Sequence, residues 1–128
     1  MFKNTTTWAS FSVDNLEKAK EFYGTTLGIP VEDVKPGVVT LKLKEGKVNI
    51  FLKKHHVPAT FTILNFQVDD ISKIMEELSR KGIIFEHYDG EEDIFTDKKG
   101  IAEDGGFKAS WFKDPAGNLL QLIQAPAS

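Results

Sequence analysis

A chain of 128 residues, 41% hydrophobic and 27% charged, has the size of one domain and the composition of a soluble folded protein. Its net charge of −3, with both signs interspersed, offers no basic face to a phosphate backbone, so no nucleic-acid partner is expected. The absence of cysteine excludes a disulfide framework, a thiolate metal site and a cysteine nucleophile. No apolar run approaches bilayer length and the N-terminus lacks the pattern of a signal peptide, so the expectation is a cytoplasmic protein without a membrane partner.

In chain order, Thr7 to Val13 comes first, with Ala9, Phe11 and Val13 alternating against Trp8, Ser10 and Ser12 as in a strand. Asp14 followed by Glu17 predicts a capping-box helix start, and Leu16, Ala19, Phe22, Tyr23 and Leu27 recur at helical spacing up to Gly28. Gly24 weakens the last turn. Three extended runs follow, Ile29 to Val34, Val38 to Lys44 and Val48 to Lys53, separated by Pro36-Gly37 and by a tight turn at Glu45-Gly46.

The pattern then starts again. Phe66, Val68, Asp69, Asp70, Ile71 and Lys73 repeat Phe11, Val13, Asp14, Asn15, Leu16 and Lys18 at one constant offset, and Gly82, Ile83 and Glu86 repeat Gly28, Ile29 and Glu32 one residue closer. Ile71, Ile74, Met75 and Leu78 give the second helix its apolar face. The second copy closes on a hairpin, Ala109 to Lys113 and Leu119 to Gln124, around Asp114, Pro115, Gly117 and Asn118. A loop over Asp114 to Asn118 sets Lys113 opposite Leu119, Phe112 opposite Leu120 and Trp111 opposite Gln121. Two copies are too few for a solenoid, so the expectation is one domain over 1–128, of class α+β, built from two β-α-β-β-β modules at about 5–56 and 61–125.

Strand alternation then sorts the faces. The helix should cover Ala9, Phe11 and Val13 in one module and Leu64, Phe66 and Val68 in the other, leaving Trp8, Ser10 and Ser12, and Ile63, Asn65 and Gln67, on mixed faces. Such a face is solvent-exposed or lines a cavity, and Trp8 argues for the cavity, because an indole gains nothing from pointing into water. Gln121 is a lone amide in an apolar strand and reads either as a core glutamine with a backbone or water partner or as a cavity-lining group.

The runs SVDNLEKAKEFYGTTLGI, QVDDISKIMEELSRKGI and WFKDPAGNLLQLI resemble the glyoxalase, bleomycin-resistance and extradiol-dioxygenase superfamily, also called vicinal oxygen chelate proteins. The resemblance spans Thr7 to Gln124. It implies paired β-α-β-β-β modules forming an incomplete barrel around a cavity, homodimers, and in many members a divalent metal held by histidines and glutamates. Carried over residue by residue, the histidine positions fall on Trp8 and Ile63, and the glutamate positions on Gln121 and on Ile50 or Asn49. Indole and alkyl side chains offer a metal no lone pair, and an amide oxygen is a weak ligand.

The remaining chemistry is sparse. His55 and His56 read as surface residues of the linker between modules, and His87 stands apart. Ser10, Ser12 and Asn65 offer hydroxyls and an amide without a histidine base beside them, which suits ligand or water binding rather than nucleophilic catalysis. The acidic segment Glu86 to Gly106 reads as a solvated loop that Gly105-Gly106 could hinge over a cavity mouth.

The resulting expectation is a metal-free, cofactor-free member that binds a small organic ligand through Trp8, Ser10, Ile63, Asn65, Trp111 and Gln121, resembling the drug-sequestering branch. The alternatives are a lyase, isomerase or dioxygenase, either with a divalent metal on relocated ligands such as His55, His56, His87 or Glu103 or with metal-free chemistry on a carboxylate base, and a silent interaction module.

Overall fold

The computed structural model describes residues 1–127. The chain divides into two compact units, Met1–Pro58 and a second beginning at Ala59, at the boundary the internal repeat marks. In the first unit β1 (Ala9–Val13) leads into α1 (Leu16–Lys20), followed by β2 (Val31–Lys35), β3 (Val38–Leu43) and β4 (Gly46–Leu52). The helix starts one residue later than the capping box predicts. Asn15, in extended backbone, takes the Lys18 N–H on its Oδ1 at 3.0 Å, and Asp70 does the same for Lys73 at 3.1 Å in the second unit.

The end of the first helix also differs from expectation. From Glu21 to Thr26 the helix widens into a π turn, where the Leu27 N–H reaches the Phe22 carbonyl at 2.9 Å. Gly24 sits within that turn, and a Cβ on it would meet Val31 Cγ2 at 3.4 Å, so the glycine lets the helix lie close to β2. The extra residue per turn leaves both Phe22 and Tyr23 buried, with rings 5.1 Å apart and edge-on.

The four strands form one sheet in the order β1-β4-β3-β2, with β1 parallel to β4. Register places Phe11, Ile50 and Val39 in one cross-strand row and Ala9, Val48 and Leu41 in another. Val39, Leu41 and Ile50 are fully buried with Tyr23, which makes this the helix-covered face. Ser10, Asn49 and Thr40 form the matching row on the opposite face.

The second unit repeats this wiring. β5 (Thr62–Gln67), α2 (Ile71–Arg80), β6 (Ala102–Asp104), β7 (Phe107–Lys113) and β8 (Leu119–Gln124) give a sheet in the order β5-β8-β7-β6, with β5 parallel to β8. Both sheets are open, and the chain is a pair of tandem β-α-β-β-β modules. The closing hairpin has the expected register: Lys113 faces Leu119, Phe112 faces Leu120 and Trp111 faces Gln121. Its turn is held by buried Asp114, whose Oδ1 accepts the N–H groups of Ala116 and Asn118, each at 2.9 Å, while Oδ2 accepts the Asn118 amide at 2.9 Å.

The segment from Glu86 to Gly106 is not the plain loop the sequence suggests. The Glu86 N–H bonds the Trp111 carbonyl at 2.8 Å, and Phe85 bridges Phe112, so the segment starts beside β7 where β2 lies beside β3 in the first unit. It then folds back on itself, with Thr96 N–H to Tyr88 carbonyl at 2.9 Å and Tyr88 N–H to Thr96 Oγ1 at 2.8 Å, before returning as β6. Local backbone pairing of this kind leaves no apolar periodicity for a sequence reading to detect.

Candidate functional site

The candidate site is built on the helix-free face of the second sheet. Asn65, Gln121 and Trp111 stand side by side on β5, β8 and β7, and Gln67, Ile123 and Ala109 form the next row on the same face. Beside them lies a pocket of about 610 Å³ bounded by Trp111, Gln121, Ile123, Ala109 and Phe107 from the strands and by Asp93, Ile94 and Phe95 from the folded-back segment, with β6 completing its wall. A space of this size holds a small organic molecule.

Trp111 is the fixed wall. It is 7% exposed, and the Tyr88 ring meets it edge-on with centroids 5.4 Å apart. Burial of Tyr88, and then the carboxylates of Glu86 and Glu91, raise its phenol above the ordinary range, so it stays neutral against the indole. The folded-back segment is therefore anchored on the same tryptophan that borders the pocket. Phe95 and Phe107, 66% and 51% exposed, form the open rim with their rings available to a ligand.

Of the residues the sequence singles out as ligand-binding, Trp111 and Gln121 line this pocket, and Phe95, Phe107, Asp93 and Asp104 were not among them. Phe107 was within reach, because it continues the alternation of Ala109 and Trp111 two residues upstream. Phe95 and Asp93 carried no signal, since only the fold-back brings them to β7. Ile63 is half-buried at the irregularity between Thr62 and Leu64, where β5 shifts register against β8. Asn65 is exposed beside Gln121.

In the first unit, Trp8 precedes β1 and is 50% exposed, with the Lys47 ammonium 4.4 Å from its ring centre. The cation over the indole gives it an attractive partner at the surface. Ser10 is exposed and faces Asn49, whose Oδ1 receives the Thr40 hydroxyl at 2.7 Å. The expectation that no histidine lies beside the serines is corrected: Ser12 Oγ and His56 Nδ1 are 2.6 Å apart. The chain turns back at Lys53 to His56, closed by a His56 N–H to Lys53 carbonyl bond at 3.2 Å, and this side-chain pair ties that turn to β1.

Pairing also settles which first-unit residue corresponds to Gln121. Asn49 faces Ser10 as Gln121 faces Asn65, so Asn49 rather than Ile50 is the counterpart. The positions at which metal-bearing relatives are expected to hold histidine and glutamate thus carry indole and amide in one unit and alkyl and amide in the other, and Asn49 already spends its oxygen on Thr40. These side chains do not suit a divalent ion. Among the described residues no three His, Cys, Asp or Glu side chains gather into a set that could hold a metal ion. Nor, among those residues, is any helix long and apolar enough to cross a membrane.

Two open sheets of identical wiring, each with a helix on one face and polar side chains on the other, define a tandem β-α-β-β-β protein. The chain belongs to the Glyoxalase/Bleomycin resistance protein/Dioxygenase superfamily, whose model matches residues 6–122. Among solved structures it is similar to a Bacillus anthracis protein classed in the glyoxalase family, at 18% identity over 98% of each chain with a TM-score of 0.74. It is also similar to TnmS3, an antibiotic binding protein from a Streptomyces species, at 22% identity over 99% of each chain with a TM-score of 0.70. A glyoxalase family protein from Enterococcus faecalis shares 25% identity over 96% of this chain and 99% of that one, with a TM-score of 0.64. No curated protein sequence matches the chain.

Proposed function

We propose that this protein binds a small organic molecule with a planar or apolar body in the Trp111 pocket, without a metal and without transforming it. The observation that carries the reading is the pocket itself, about 610 Å³ with a buried indole as its wall and the Gln121 amide on its floor. An aromatic wall favours a flat ligand by roughly 0.5–1.5 kcal/mol beyond area burial, and one amide fixes its orientation. The donor chemistry at Trp8, Asn49, Ile63 and Gln121 supports the metal-free part, and the antibiotic-binding relative supports sequestration over chemistry. We propose Ile63 and Asn65 as further ligand contacts on the second unit and Trp8 and Ser10 as ligand-binding residues of the first, and a homodimer as the working form.

Tryptophan emission tests the site. In Trp8→Phe all indole emission belongs to Trp111, so a ligand from a screened library of planar compounds should quench it on binding. Trp111→Ala should weaken that ligand, and Gln121→Leu should cost about 1 kcal/mol in affinity while leaving the fold intact. A ligand that binds tightly, leaves the emission unchanged and tolerates both substitutions would place the site elsewhere. About one equivalent of zinc, nickel, manganese or iron retained by untagged protein through dialysis would overturn the metal-free reading.

A further inference from the structure

We infer that the ligand of the Trp111 pocket is a cation, an aromatic or apolar body bearing a protonated amine. The inference rests on the pocket proposed above and concerns the charge of what enters it. Asp93, Glu103 and Asp104 are the charged residues of the lining, so three carboxylates and no cationic side chain border the space. The lysines of the same part of the chain are segregated from it: Lys98, Lys99 and Lys108 line a separate groove, on which Glu103 also borders.

Strand register explains the segregation. Asp104 faces Phe107 and Ala102 faces Ala109, which puts Asp104 on the same face as Trp111, whereas Glu103 faces Lys108 on the other. Asp93 reaches the pocket from the opposite side, on the fold-back that also supplies Phe95. Among the described residues none of the three carboxylates is held in an ion pair. The charges of Asp93 and of Asp104, which shares the face of Trp111, are thus available to a bound molecule.

The walls add to the same preference. Trp111, Phe95 and Phe107 line the space with aromatic rings, and a cation close to a ring face is attracted by its quadrupole. A neutral ligand gains only the apolar contact. An anion is repelled by every charged group it meets. Two unit charges about 7 Å from a bound ammonium in a water-like medium together favour a cation by roughly tenfold, and because Asp93 and Asp104 are exposed the gain must shrink with salt.

The test uses the full-length protein and three probes of one shape: 9-aminoacridine, a cation at neutral pH, acridine, which is neutral, and acridine-9-carboxylate, an anion. Calorimetric titration at low salt should rank them cation, neutral, anion, with roughly tenfold between the first two, and about 0.5 M salt should close most of that gap. The double variant Asp93→Asn with Asp104→Asn should bring 9-aminoacridine down to the affinity of acridine and leave acridine unchanged. Trp111→Ala should weaken all three. If 9-aminoacridine binds no tighter than acridine, or keeps its advantage in the double variant, the charge inference is overturned while the pocket stands on the Trp111 result. If none of the three binds, or if Trp111→Ala is tolerated, the pocket reading itself falls and the charge inference with it.

Discussion

Asp114 shows how much one side chain contributes to the framework of the site. Its two oxygens hold three N–H donors of the turn between β7 and β8, the strands that carry Trp111 and Gln121. Replacing it with alanine leaves buried donors around Asn118 without that acceptor, so Asp114→Ala should lose about 1–3 kcal/mol of stability, read as a shift in the urea midpoint. An unchanged midpoint would mean that water replaces the carboxylate. Ser110 is the opposite case. It is fully buried, its Oγ has no partner among the described residues, and register puts it where Val39 stands in the first unit. Ser110→Ala removes a desolvated hydroxyl at little cost in volume and should raise stability by about 1 kcal/mol; a lower urea midpoint would show that the hydroxyl is bonded after all.

Among the elements, legibility followed how local the determinant was. The closing hairpin could be read to the residue because Asp114 to Asn118 fix the loop length, and loop length fixes register. The cap of the first helix was one residue off, since Asp14 and Asn15 are both good caps and only backbone geometry chooses between them. The π turn had one faint sign, Gly24, and the fold-back from Tyr88 to Thr96 had none, because its stability comes from bonds to its own backbone and from a ring contact with Trp111. In the candidate pocket this meant that Trp111 and Gln121 had been singled out from the sequence and the Phe95 and Phe107 rim had not.

The turn after that fold-back depends on one charge. Asp97 Oδ1 accepts the N–H groups of Lys99 and Ile101, each at 2.9 Å. The bond from Ile101 lowers its carboxyl below the ordinary value; burial opposes this, and the bonds from Lys99 and Gly100 and the Lys99 charge add to the lowering. A folded-state value lowered in this way contributes stability that is present above the unfolded carboxylate range, about pH 4, and is lost as pH falls through the folded value. Asp97→Asn keeps the acceptor and removes the charge. Its melting temperature should therefore fall below that of the parent at pH 7 and converge with it as pH falls through the folded value, whereas a gap independent of pH would show that the charge contributes nothing.

At the scale of the whole molecule, each unit has its own helix-covered sheet face, yet each is near the size at which a single core is marginal. A chain of 58 residues buries only about 60% of the surface its unfolded form exposes. In the first unit the uncovered face adds polar Ser10, Thr40 and Asn49 together with exposed Trp8 and Phe51, which contribute little to its stability alone. A fragment of residues 1–58 should accordingly show no cooperative thermal transition. The full chain should melt once, with a calorimetric enthalpy of about 90 kcal/mol that matches the van't Hoff value, as expected for one cooperative unit of its length. The contrary result is equally definite: a fragment that melts cooperatively with about 40 kcal/mol, or a full chain that melts in two steps, would make the modules independent folding units. A flat ligand should raise the single transition in proportion to the logarithm of its free concentration. If instead the chain melts in two steps and such a ligand raises only one of them, the step that moves identifies the module that holds the ligand, and loss of that shift in Trp111→Ala would assign it to the second.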